Sequence, residues 1–345
     1  SANPPTEITD EEQQKRRDAM DESIQTLRHR WDTEIRPTME AEIGHVKSID
    51  LGSVTDAQLL EHLDEFLDQT VKHWMFHNQV VGPTHASVHR LAVMYREIFE
   101  DAPEDEPYNL IRGLDNKSLE TDQAIQALAS QARESVRVSD AFSNYDQAAE
   151  ILAALESSDD GLAFRKTLNE FMDVYGLRPT GFDVLFPAWV EDPSFVIMNI
   201  KSFVQSSPRD IASEQEALSE MAETYRQKVL DKIGDDHERT EKFLECLKHA
   251  RELWPLKEDH AFYIDQGSAA CVRILLAEVG RRLSGQRAIS EPEDVFYLTL
   301  DEAISALRDA ASESLGDLVS ERRNRREAQS KIIPPAYLGT VPAVG

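Results

Sequence analysis

Apolar residues recur at intervals of three and four along most of the chain, the spacing that buries one face of a helix. Leu59, Leu60, Leu63, Phe66, Leu67, Val71 and Trp74 form one such stripe. Val88, Leu91, Ala92, Tyr95, Ile98 and Phe99 form a second, and Phe164, Leu168, Phe171, Met172 and Tyr175 a third. Phe243, Leu244, Leu247, Ala250 and Trp254 make a fourth; Val272, Leu275, Leu276, Val279 and Leu283 a fifth. Each is wide enough to be buried on one side, so these positions predict core rather than a cofactor-binding motif. Alternating patterns are rare, and a short strand near 296–298 is the most that they suggest. The pattern predicts an all-α multi-helix bundle.

Breaks in the pattern set the boundaries. A first helix is expected over about 9–36, stopped by Pro37, because proline lacks the N–H that a helix interior needs. Thr55 and Asp56 suit the N-terminus of the next helix. Gly82 and Pro83 predict a stop or a kink after Val81. The stretch 101–107 is an acidic loop carrying Pro103 and Pro107. The stretch 177–193, with Pro179, Gly181, Pro187 and Pro193, is the longest non-helical run in the middle, and a boundary between two lobes is expected there. Residues 332–345 hold three prolines and two glycines and predict a linker, leaving 1–331 as one helical domain.

The formal net charge of −27 over 345 residues argues against nucleic acid and anionic membranes as partners. One local exception is Arg322, Arg323, Arg325 and Arg326, expected to be a solvated basic face of the last helix. No apolar run approaches the roughly 20 residues that span a bilayer, and Ser1–Pro5 lacks the basic and apolar character of an export signal. A cytoplasmic location is therefore expected, with Cys246 and Cys271 as reduced core thiols.

Three groups of residues carry candidate chemistry. His73 and His77, and again His85 and His89, stand four apart on a helix face, a spacing that can ligate one metal. No third ligand is marked near either pair, so no metal is expected. The second group is the junction from Arg251 to Asp265. It combines a Pro255 break with Trp254, Lys257, Glu258, Asp259, His260, Tyr263 and Asp265. At α-helical spacing Glu258, Phe262 and Asp265 lie near one face, and Lys257, His260 and Ile264 near another. A carboxylate beside a histidine forms an acid–base pair; equally, such a cluster caps and salt-bridges a helix junction. The third is the aromatic loop with Phe182, Asp183, Phe186 and Trp189, which either walls a pocket or plugs the end of a bundle. Walker, dinucleotide-binding and nucleophile-elbow motifs are absent.

Taken in order, several of these segments resemble one family. They are Trp31 and Pro37; Tyr175-Gly176, Arg178, Asp183, Pro187, Trp189 and Glu191-Asp192-Pro193; then Leu256-Lys257-Glu258-Asp259-His260 with Phe262-Tyr263. Gly280-Arg281-Arg282-Leu283, the run Glu293-Asp294-Val295-Phe296-Tyr297-Leu298-Thr299, and Pro334-Pro335-Ala336-Tyr337-Leu338-Gly339 complete the pattern. It is similar to the helical central segment of phosphoenolpyruvate-synthase-like proteins, a group of phosphoenolpyruvate-utilising proteins that includes rifampicin phosphotransferase and phenylphosphate synthase relatives. In that family an ATP-grasp domain takes phosphate from a nucleotide, and a swivelling domain carries it on a histidine. The segment from Gly82 to Ser87 superficially resembles that phosphohistidine motif. Pro83 replaces its second glycine and one residue before His85 is missing, so His85 is not expected to carry phosphate.

The resemblance implies an acceptor-binding part of a phosphotransferase acting on an organic, aromatic or otherwise apolar, hydroxyl compound. ATP, Mg and the phosphohistidine are expected on other domains or subunits, to which 332–345 would lead. His77, His85, Glu258, His260 and Asp265 are the candidates for orienting or deprotonating the acceptor. Lys257, Trp74, Phe182, Phe186, Trp189, Arg273 and Tyr263 are the candidates for binding it. Two alternatives stay open: the same fold running an acid–base lyase or isomerase reaction such as a dehydration, and a non-catalytic docking subunit.

Overall fold

The computed structural model describes residues 9–181, 184–207, 210–309 and 314–335. Helices account for most of them, and the β pairing among the described residues is one isolated bridge, Pro179 to Ala188. The chain divides into two units, Ser1–Ser48 with Asp68–Cys271, and Ile49–Leu67 with Val272–Gly345.

Helix α1 spans Asp10–Arg30 and begins in a capping box, in which Thr9 accepts from the Glu12 N–H and Glu12 from the Thr9 N–H. Pro37 does not end this run. A π-helical turn, Trp31–Ile35, follows α1, and α2 continues from Arg36 to Ser48. Pro37 thereby lies just past the π turn, and the helical run carries on through it. Helix α3 runs from Asp56 to Ile98 straight through Pro83. The lost hydrogen bond costs about 3 kcal/mol. Val80, Val88 and Leu91 on the same helix are all buried, at about 1.5–3 kcal/mol each, so burial outweighs the proline.

Within the first unit, α4 (Lys117–Glu134), α5 (Val136–Asn144), α6 (Ala148–Leu155), α7 (Asp159–Tyr175) and α8 (Ser194–Gln205) enclose one apolar core. Phe142, Phe164, Leu168, Ile197 and Ile200 are at its centre. The 177–193 stretch is pinned into this core rather than forming a boundary. Trp189 N donates to Arg178 O at 3.0 Å, Val190 N donates to Gly176 O at 2.9 Å, and Trp189 itself is buried. A second core joins the C-terminal part of α3 to the 3-10 turn Glu106–Ile111, α9 (Ile211–Ile233) and α10 (His237–Leu253). After α10 come α11, Leu256–His260, and a second π-helical segment, Ala261–Gly267. Helix α12, Ser268–Gly285, follows without a break.

The second unit is held by ion pairs around a small core. Arg282 donates to Asp56 Oδ1 at 2.7 Å and to the carbonyls of Leu51 and Val54 at 2.8 Å. The expected strand near 296–298 is instead a 3-10 turn, Pro292–Tyr297. Pro292 sets its first residue, and the Asp294 carboxylate accepts from the N–H groups of Ser290 and Glu291 at 3.0 Å. Helices α13 (Leu300–Arg308) and α14 (Gly316–Ser330) follow. Arg322 and Arg323 of α14 are not simply solvated. Arg322 grips Glu302 through both its terminal nitrogens, and Arg323 pairs with Asp294. Ile332 and Ile333 are exposed; residues 336–345 of the expected linker lie outside the described residues. Among the described residues no helix is long and apolar enough to cross a membrane.

Candidate functional site

His73 and His77 lie on one face of α3 and form two polar rungs, the first with Glu42 and Ser268, the second with Asp265 and His260. On the first, His73 Nε2 lies 2.5 Å from Glu42 Oε2 and its Nδ1 lies 2.7 Å from Ser268 Oγ. A carboxylate only accepts, so Nε2 carries the proton and Nδ1 accepts from the serine hydroxyl. Burial holds the pKa of His73 below the usual imidazole value, in keeping with this neutral form. The rung is closed: His73 is 1% exposed and both ring nitrogens are engaged.

The second rung is more open. His77 Nδ1 donates to Asp265 Oδ1 at 2.8 Å. Asp265 Oδ2 stands 3.7 Å from His260 Nε2. His260 is buried, and its Nδ1 donates to the carbonyl of Leu256 at 2.7 Å. Its Nε2 therefore carries a lone pair directed at the carboxylate, too far for a hydrogen bond. Burial, together with nearby His77, holds the pKa of His260 below its ordinary value. The two imidazole rings are 5.0 Å apart. Trp74, 57% exposed, lies 5.1 Å from the His77 ring on the solvent side.

Helical spacing placed His260 and Asp265 on different faces, and the π segment is why they meet. Five residues of α-helix advance about 140° past a full turn at 3.6 residues per turn. The wider π turn, bonded i to i+5, brings residues five apart nearly into line. The two π segments also touch each other, Trp31 packing edge-on against Tyr263 at 6.1 Å. Burial and the Glu40 carboxylate push the Tyr263 hydroxyl far above its usual pKa.

Glu258 and Asp259 turn to the N-terminus of α4. Asp259 Oδ1 accepts from Lys117 N–H, and Glu258 Oε2 from Ser118 Oγ, both at 2.8 Å. Carboxylates are favoured at a helix start, so capping accounts for part of the acidic cluster. Burial raises the pKa of Asp259, whereas Glu258 stays half-exposed and lines a cavity of about 410 Å³ with Lys257, Ser118, Asp122, Arg112 and Trp254. A second cavity of about 690 Å³ shares Arg112, Ile111 and Trp254 and adds His85, His89 and Tyr108. Trp254 stands in the wall of both, with His85 edge-on at 6.1 Å and Lys257 Nζ 5.4 Å from its ring centroid. Gly113, at φ +70°, turns the chain at the rim. A side chain there would meet Ser219 Oγ at 2.4 Å, so glycine is required.

The structure thus brings His77, His260 and Asp265 together, and sets Lys257, Glu258 and His85 around the Trp254 cavities. One helical turn, Lys257–His260, serves both places. His85 lies within unbroken helix. Trp189 is buried, stacked on Phe195 at 5.3 Å beneath the Arg178 guanidinium, as part of the core. Phe186 is 44% exposed, against Gly181, and Phe182 lies outside the described residues, as does Asp183. Arg273 belongs to the second unit, buried with its guanidinium over Phe296 at 4.4 Å. Sequence reasoning did not find Glu42, Ser268, Ser118 or Arg112, since each is an ordinary polar residue of a helix or loop that only the fold brings to a histidine or a cavity. Trp254 was visible as the aromatic at a helix end before a proline.

Residues 79–258, more than half the chain, match the family described as the rifampicin phosphotransferase fourth domain. The chain is similar over 90% of its length to a chondramide synthase of Chondromyces crocatus, at 27% identity, covering 8% of that protein. It is 30% identical over 76% of its length to the phosphotransferase YvkC of Bacillus subtilis, covering 31% of it. It is 25% identical over 58% of its length to a rifampicin phosphotransferase of Streptomyces sviceus, covering 24% of it. The chain spans less than a third of each of these relatives.

Proposed function

Because the chain belongs to the rifampicin phosphotransferase fourth-domain family, we propose that it is the acceptor-holding part of a phosphotransferase that acts on an apolar or aromatic organic hydroxyl compound. The phosphoryl group reaches it on a histidine of another domain or subunit, where ATP and Mg are also handled. The observation that carries this reading is the pair of adjoining cavities around Trp254, whose lining residues Lys257 and Glu258 share a helical turn with His260. Their size suits a small organic molecule, and an aromatic wall with a few polar groups is the usual make-up of such a site.

Phosphoryl transfer to an alcohol needs the hydroxyl aligned with phosphorus and relieved of its proton. Glu258, hydrogen-bonded to Ser118, is an acceptor for that hydroxyl at the cavity edge. Lys257 and Arg112 supply positive charge to the incoming phosphoryl oxygens, with His85 beside them as a hydrogen-bonding group. His77, Asp265 and His260 form the acid–base group behind them, and Trp74 offers an apolar surface beside it. The Streptomyces relative is named for rifampicin, which supports an organic acceptor as the substrate class.

Calorimetry with a panel of phenols and alcohols tests this. Binding of at least one class is expected, weakened about tenfold or more by Trp254→Ala, the scale of losing an aromatic anchor. A folded chain that binds none of the panel refutes it.

A further inference from the structure

We propose that His77, His260 and Asp265 form a binding site for a divalent first-row transition cation, of which Zn²⁺ is the reference. The proposal deepens the acid–base role given to this cluster above, but it rests on the geometry of the three side chains alone.

One donor atom from each residue lies within 4.8 Å of the other two. The separations between carboxylate and imidazole are 2.8 and 3.7 Å. Ligands bound to one ion at about 2.0–2.2 Å stand about 3.0–3.5 Å apart, so both carboxylate–imidazole separations are already close to that range, and the two imidazole nitrogens, within 4.8 Å of one another, need only draw together. The charge also fits, since two neutral imidazoles and one carboxylate complement a divalent ion. Mixed nitrogen and oxygen donors favour Zn²⁺, Co²⁺, Fe²⁺ or Mn²⁺ over Mg²⁺ and Ca²⁺, which prefer all-oxygen shells.

The tautomer of His260 suits a metal ligand. His260 is 5% exposed, and the hydrogen bond from its Nδ1 to Leu256 fixes the tautomer that leaves a lone pair on Nε2. That lone pair faces the Asp265 carboxylate without a proton between them. A cation at the centre would satisfy both atoms. The Leu256 carbonyl already acts as the outer partner that metal-bound histidines usually have. His77 would pass from its Nδ1–H to its Nε2–H tautomer, with no net loss of protons. Two helices and a π turn supply the ligands, leaving other positions on the ion for water or an acceptor hydroxyl, whose proton it would acidify.

All three residues stand out along the chain as candidates, but not as one cluster, because Asp265 is 188 residues from His77 and lies five positions from His260, a spacing that the π turn folds back.

The test is titration of the whole chain, first stripped with a chelator, with Zn²⁺ by calorimetry and with Co²⁺ by visible absorption. One equivalent is expected. His77→Ala and Asp265→Ala should each weaken Zn²⁺ at least tenfold and change the Co²⁺ spectrum, while the double variant His85→Ala/His89→Ala leaves both unchanged. His260→Gln keeps the buried volume and should also weaken binding. Circular dichroism establishes that each variant is folded. No bound equivalent, or binding indifferent to all three cluster variants, overturns the proposal. The parent protein separates it from the acceptor reading: metal bound with no acceptor of the panel bound sinks that reading alone, and acceptor bound with no metal sinks this one alone, while Trp254→Ala should lose acceptor and keep metal.

Discussion

Two interiors of the first unit are built by the same helical packing and filled in opposite ways. The core of α4 to α8 is dry, closed by Phe142, Phe164 and Leu168, with rings meeting edge to face at 5.6 Å. The seam beside α3 buries histidines and carboxylates. A dry core gains stability with each apolar side chain. A buried polar rung gains little net energy and costs much if half of it is removed. A chain selected for stability alone would favour the first kind everywhere, so the seam marks where another demand was met.

Substitutions separate the two interiors by size and by kind. The largest effect is expected from Phe164→Ala, about 3–5 kcal/mol of lost stability for a fully buried aromatic, seen as a lowered denaturant midpoint. His73→Ala leaves Ser268 and one oxygen of Glu42 without their partner, Lys72 still holding the other, and should cost about 1–3 kcal/mol. If both cost the same, the distinction between dry core and polar rung fails. Asp265→Asn, on the open rung, should change stability by less than about 1 kcal/mol while abolishing transfer to acceptor in the assembled enzyme; a large loss of stability instead would make the rung structural.

The smallest effect is in pH dependence. The folded pKa of His73 lies below its unfolded value of 6.5. The unfolded chain therefore takes up this proton first as pH falls. The stability tied to neutral His73 is complete above about pH 6.5 and drains away as pH drops toward the folded pKa. Thermal unfolding from pH 8 to pH 5.5 should show a shallower slope in His73→Phe than in the parent, and an unchanged one in Phe164→Leu. Equal slopes in all three would remove His73 as the cause.

Much of the dry interior was legible along the chain, because Phe164, Leu168, Phe171 and Met172 repeat at helical spacing and burial follows that repeat. The seam was half legible. His73 and His77 announce one face of α3 and Asp265 stands out in the acidic junction, but Glu42 and Ser268 are ordinary polar residues until the fold brings them over. Local rules misled where tertiary packing overrode them. Pro37 is carried in a helical run just past a π turn, Pro83 within the long helix α3, and the proline-rich 177–193 run is anchored by Trp189 instead of dividing the unit. The assignment of faces over 256–265 failed for a different reason, namely that the helix there changes its period.

That change of period has a consequence for how the cluster could arise or be lost. A π segment inside a helix behaves as one extra residue in the register. Deleting a single position between Ala261 and Ile264 would let the helix relax to its ordinary pitch. Each residue turns an α-helix by about 100°, so Asp265 and Ser268 could not both keep facing α3, although every functional side chain would still be present. The information that assembles the cluster is therefore held partly in the count of residues, and a comparison of related chains should weigh gaps at this point as heavily as changes of residue type.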